Sequence, residues 1–194
     1  NFRTFYGEHK IVFSNESNKN VTLVHAENST GKTTMLNALK WCFYAKTPDF
    51  DDEIFEFPPD VRLANLDLIE EGSGDFEVEV EFEHDGIQYR VNRSANQRHM
   101  KGTSIKKGKD SFSIFEVQEH GNNELLPEPR SAINKILPEE LSDYFLFSGE
   151  SVEKKLTNQG LGYKNAVRDI LGFSLSDIAI TDLNQLRSKN TAKK

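Results

Sequence analysis

Several features are scarce in this sequence, and each scarcity excludes something. There is one cysteine, Cys42, so no internal disulfide can form and a reducing cytosol is the expected compartment. The longest unbroken apolar run, Trp41 to Ala45, is far shorter than the roughly 18 residues of a membrane span, so no membrane partner is expected. Basic charge is also in short supply. The formal net charge is -7, which rules out a uniformly basic coat for nucleic acid and leaves only a local patch as an option. His9, His25, His84, His99 and His120 have no metal-ligand spacing, and His25 reads as a packed strand residue. There is no internal repeat and no low-complexity tract.

What is present is ordered. At 194 residues the chain suits about one domain. Residues 1–24 read as a loop and two strands, "KIVF" and "VTLV", separated by the polar turn "SNESNKN". Thr33 to Ala45 reads as a helix, with Met35, Leu36, Leu39, Cys42 and Phe43 at helical spacing, and core packing is the expected role of Cys42. Residues 46–74 read as loop-rich. In "DFEVEVEFEHDGIQYRVNR" the period becomes two, and Asp85-Gly86 between the alternating runs marks a hairpin. "SFSIFEV" reads as a further strand. From Pro129 the pattern is helical, with Pro138 suited to a first helical position and Ser174 with Asp177 to a helix start.

The chemistry lies in "VHAENSTGKTTMLNALKWCFY". The phosphate-loop pattern G-x-x-x-x-G-K-[ST] needs a strand before it and a helix after it. Ala26 takes the place of the first glycine, while Gly31, Lys32 and Thr33 fit the remainder. Backbone amides of such a loop and of the helix N-terminus point into one concavity that an anionic phosphate satisfies. Asn28, Ser29, Thr30, Gly31, Lys32, Thr33 and Thr34 are the expected ATP-binding residues. Lys32 would reach the β- and γ-phosphates and the Thr33 hydroxyl would hold Mg²⁺. Alanine at the first position adds one methyl and removes no backbone donor, so the loop is expected to work.

Charge is distributed unevenly downstream. From Arg90 to Lys109 there are seven basic residues and no acid: Arg90, Arg93, Arg98, Lys101, Lys106, Lys107 and Lys109. Asp51 to Asp85 carries fourteen acids and one arginine. That contrast marks the basic stretch as a candidate footprint for nucleic-acid phosphates. The glycines and serine of "KGTSIKKGKD" imply flexibility and sequence-independent contact. A soluble hairpin tip is the plainer reading of the same residues.

Five segments in order, "NFRTF", the phosphate loop with its helix, "FEVEVEFEHDGIQYRVNR", "DYFLFSGESVEKKL" and "AVRDILGFSLSDIAITDL", resemble the N-terminal lobe of an SMC-type ABC-ATPase head. That family includes the chromosome SMC proteins and a double-strand-break repair ATPase that works with a nuclease. The last two segments are similar to the DndD and Lamassu LmuB branch of bacterial anti-phage ATPases. The resemblance implies an α/β fold of P-loop NTPase type, with a mixed β-sheet and antiparallel hairpins over residues 1–173. It also implies the start of a coiled coil over residues 174–194.

By position it places Arg3 beside the nucleotide, and Ser148 where relatives carry a Q-loop glutamine that touches Mg²⁺. Serine is shorter and a weaker ligand, so Ser148, Glu150 or a bridging water are alternatives for that role. No Walker B strand, "SGG" signature or switch histidine occurs in the sequence. The resemblance implies that a second lobe completes the head, and that two identical heads share ATP, engage DNA and control a nuclease or other effector. Two other readings are an ATP-gated scaffold with negligible turnover, which Ser148 favours, and an OLD-type ATPase-nuclease.

Overall fold

The computed structural model describes residues 1–27, 30–45, 62–99, 105–107, 110–118 and 123–146. The chain divides into two units, Asn1–Ile136 and Leu137–Lys194. The first contains α1 (Lys32–Tyr44), α2 (Leu66–Glu70), β1 (Asp75–His84), β2 (Ile87–His99), β3 (Ile105–Lys107), β4 (Ser111–Val117), β5 (Asn123–Leu125) and α3 (Pro129–Ile136). In the second, Pro138 precedes a 3₁₀ turn, Glu139–Leu141, and α4 (Ser142–Phe145) follows. Pro138 thus caps the turn, one position earlier than expected. The expected helix start at Ser174 and Asp177 and the coiled-coil segment 174–194 lie outside the described residues.

The sheet runs β1-β2-β4-β5, with β3 paired to the far end of β2, and every pairing is antiparallel. Its seed is the β1–β2 hairpin. Asp85 and Gly86 have φ of 51° and 76°, the positive pair that a two-residue turn matched to strand twist requires. The register then sets Phe76 opposite Ala95, Val78 opposite Arg93, Val80 opposite Val91 and Phe82 opposite Tyr89 on the inner face. The acids Asp75, Glu77, Glu79, Glu81 and Glu83 fall on the other face. There, Arg90, Gln88 and Asn96 hold Glu81, Glu83 and Asp75.

Helix α1 lies against the inner face. Trp41 is fully buried, with ring centroids 4.9 Å from Phe76 and 5.5 Å from Phe2, and Phe43 meets Phe82 edge-on. Leu63, Ala64 and Ile69 complete this core. Residues 62–65 come from a stretch expected to be loop. They are held by the buried Gln97, whose Oε1 accepts the Leu63 and Ala64 amides at 2.7 and 2.8 Å. The N-terminus is tied to the same segment. Phe2 bridges to Ala64, the Arg3 amide donates to the Leu63 carbonyl, and Asn65 caps α2 while its Nδ2 donates to the Arg3 carbonyl.

The two strands expected at "KIVF" and "VTLV" are not formed. Residues 10–24 contain one isolated bridge, Glu16 to Lys19, and the Ser14 amide donates to Thr22 Oγ1. Val12, Val21 and Leu23 are 74%, 82% and 88% exposed, and His25 is exposed rather than packed. A strand needs a neighbour for its backbone groups, and the described residues place none beside these. The parallel component expected of a mixed sheet is absent among the described residues for the same reason.

Candidate phosphate-binding site

The site is built at the start of α1. Gly31 stands at the N-cap position with φ 111° and ψ 9°, a conformation closed to side-chain-bearing residues. A Cβ there would also lie 3.1 Å from the Phe5 ring and 3.3 Å from Thr4 Oγ1. Glycine therefore lets the N-terminal segment pack directly on the loop. Arg3, at φ 49°, precedes this contact in the chain, and its backbone is held by the Leu63 carbonyl and Asn65 Nδ2.

The first amides of any helix have no acceptor within the helix. Most helices supply one from a capping side chain or place an acid in the first turn. Helix α1 has neither. Its first turn instead begins with Lys32, so positive potential from the helix dipole and an ammonium accumulates at one point. Such an end costs stability alone and is satisfied by an anion.

Lys32 Nζ donates to the carbonyls of Ala26 and Glu27, each at 2.6 Å, and Thr30 Oγ1 donates to the Glu27 carbonyl at 2.7 Å. The role of position 26 is thereby explained. What Ala26 contributes is its carbonyl, which alanine provides as well as glycine does. An ammonium has three donors, and two carbonyls leave one direction for a phosphate oxygen. Thr33 is exposed at the second position of α1, where its hydroxyl fits a hard cation such as Mg²⁺. Thr34 differs from expectation. It is buried, and its Oγ1 accepts from Thr4 Oγ1 at 3.4 Å, so its side chain packs on the N-terminal segment rather than opening to a ligand. Asn28, Ser29, Ser148 and Glu150 lie outside the described residues.

The basic stretch is not the uniform surface that its charge implies. Arg93 was expected to meet nucleic acid, yet it is 1% exposed. It lies on the inner face of β2, where the alternation of Tyr89 and Val91 continues through Arg93, Ala95 and Gln97. Its Nε donates to the Cys42 carbonyl at 2.8 Å and its Nη1 to Asp110 Oδ2 at 3.1 Å. Its guanidinium lies 3.9 Å from the centre of the Phe112 ring. Burial depresses its proton affinity while Asp110 opposes the shift. Arg90 is engaged by Glu81 at 2.7 Å and Glu79 at 3.7 Å. Arg98 is exposed. Lys106 and Lys107 are on β3, and Lys101 and Lys109 are outside the described residues.

Cys42 is buried as expected, its Sγ directed at the Val78 carbonyl, and desolvation pushes its thiol up to about 12. Among the described residues no cluster of histidine, cysteine and carboxylates could hold a metal ion, and no helix is long and apolar enough to cross a membrane.

Comparison with curated proteins returns no match. The family described as an AAA domain matches residues 1–194, the whole chain. A phosphate loop at the bare end of α1 and a family match of that extent agree, and the chain belongs to this AAA-domain, SMC-like family of P-loop ATPases.

Proposed function

We propose that this chain is the ATP-binding lobe of an SMC-like head. The observation that carries the reading is the junction of Lys32, bonded to the Ala26 and Glu27 carbonyls, with an uncapped helix N-terminus. Gly31, Lys32, Thr33 and Thr34 would hold the phosphates through amides and the ammonium, and Thr33 would hold Mg²⁺, with Ser148 as the further ligand. The bound metal would neutralise phosphate charge. The residues of this chain would orient the triphosphate, and a water-activating glutamate would come from the second lobe.

The exposed side chains of Ile11, Val12, Phe13, Val21, Leu23 and Val24 support completion by a second lobe that would cover them. In the finer reading, two heads share ATP and engage DNA without sequence preference through Arg98, Lys101, Lys106, Lys107 and Lys109. They would control a nuclease or another effector in anti-phage defence. The resemblance of "DYFLFSGESVEKKL" to the DndD and LmuB branch supports that role.

Lys32→Ala in the full-length protein tests the phosphate site by titration with fluorescent ATP. The expected loss of affinity is about tenfold or more, equivalent to about 1.4 kcal/mol. Unchanged affinity removes the loop from nucleotide binding.

A further inference from the structure

We propose that Arg93 and Asp110 form a latch through which occupancy of the phosphate site at the N-terminus of α1 is coupled to strand β4. The latch rests on the phosphate-loop reading and adds a connection that nucleotide binding alone does not require.

Helix α1 has two ends with different needs. An anion serves its N-terminus. At its C-terminus the last carbonyls lack helical donors and favour a cation. Ala45, in the left-handed region at φ 59°, satisfies the Trp41 carbonyl, and Arg93 satisfies that of Cys42. One rigid element, 13 residues or about 20 Å long, therefore connects the phosphate site to a buried guanidinium. That guanidinium is anchored on the opposite side by Asp110, which directly precedes β4.

The pair is incompletely satisfied as it stands. Arg93 divides its donors, Nε to Cys42 and Nη1 to Asp110 Oδ2. Asp110 Oδ1 is buried and has no donor among the described residues. A buried acceptor in that state costs about 1–3 kcal/mol. Arginine's fork is shaped to take both oxygens of one carboxylate. A second arrangement, in which a shift of α1 carries the guanidinium with the Cys42 carbonyl and brings Nη2 onto Asp110 Oδ1 beside Nη1, would satisfy the acid while Nε keeps its bond to the helix end. A small displacement of α1, which carries the Cys42 carbonyl, would select between the two arrangements. An anion at the other end of α1 provides such a bias. The strand that registers the result is β4, since Asp110 fixes its start and Phe112 lies against the guanidinium.

The test is hydrogen exchange at amides 111–117 in the full-length protein, with and without Mg²⁺-ATP, in parallel with ATP titration. In the parent, nucleotide is expected to change exchange in β4 by about threefold or more. In Asp110→Asn, affinity should stay within about threefold of the parent while the change in β4 disappears. Should Asp110→Asn not fold, the double variant Arg93→Met, Asp110→Leu removes both charges and keeps the volume filled, an exchange that buried ion pairs tolerate. It should bind nucleotide with the same loss of response. ATP binding with no change in β4 of the parent, or with the parental change in either variant, overturns the latch alone. Failure of the parent to bind ATP overturns the phosphate-loop reading and the latch with it.

Discussion

At the scale of single residues, the clearest constraint is steric. A Cβ at Gly74 would lie 1.6 Å from the Gln97 carbonyl oxygen, and the Gln97 amide donates back to the Gly74 carbonyl at 3.0 Å. No side chain fits without moving the end of β2. Gln97 also holds the Leu63 and Ala64 amides, so any shift passes into the core. Gly74→Ala is therefore expected to cost about 3 kcal/mol or more, measured as a lowered urea midpoint with little change in slope. Gly72 has open space where its Cβ would be, but its φ of 87° makes it strained in a different way. Nothing in the local sequence "EEGSGD" separates these two glycines, because the difference arises from a residue 23 positions beyond Gly74. Arg93 departs from its expected surface position for the opposite reason. The alternation that places it inside is visible in the sequence, but its charge made it look like surface. Period-two patterning was the better guide, and Phe112 and Asp110 make a buried arginine tenable.

Elements whose partners are adjacent in sequence were legible, and those with remote partners were not. The β1–β2 hairpin follows from alternation and a two-residue turn, and α1 follows from helical spacing after a glycine. By contrast, "VTLV" has strand composition, yet its backbone finds no ladder among the described residues. The loop-like stretch 62–65 enters the core because Phe2 and Gln97 recruit it from far away. The phosphate-loop motif is readable because Gly31, Lys32 and Thr33 are contiguous and open a helix, and its use for ATP is the proposal made above.

For the basic stretch, two of the seven expected contacts are committed elsewhere, Arg93 inside and Arg90 to Glu81 and Glu79. The proposed DNA footprint is thereby narrowed to the lysines around β3 and to Arg98. Neutralising Lys106, Lys107 and Lys109 together should lower DNA affinity and reduce the slope of log affinity against log salt by up to about 3, since each phosphate contact contributes about 0.9. A parental slope and affinity in that variant would remove β3 from any nucleic-acid interface.

On the scale of the whole unit, stability depends on one core shared by α1, the sheet and the N-terminal segment, and Cys42 makes that core titratable. Its thiol, ordinarily near 9.0, is raised to about 12 by burial, while Arg93 pulls it weakly in the other direction. Between about pH 9 and pH 12 the unfolded chain therefore gives up a proton that the folded chain keeps. Fewer protons bound in the unfolded state means that stability falls as pH rises through this window, and the thiol has no effect below it. Tyr6 and Tyr89 are shifted upward too and act in the same sense. The contribution of the core must therefore be isolated by difference. Urea midpoints measured from pH 7.5 to 10.5, conditions chosen about the ordinary thiol value, should decline in both the parent and Cys42→Ala. The decline should be steeper in the parent. The substitution also opens a small cavity, which lowers the midpoint by a similar amount at every pH. It does not change the slope. Parallel declines would mean that the Cys42 thiolate is accommodated in the folded state. The packing of α1 on β1 and β2 would then be looser than the fully buried Trp41 and Cys42 imply.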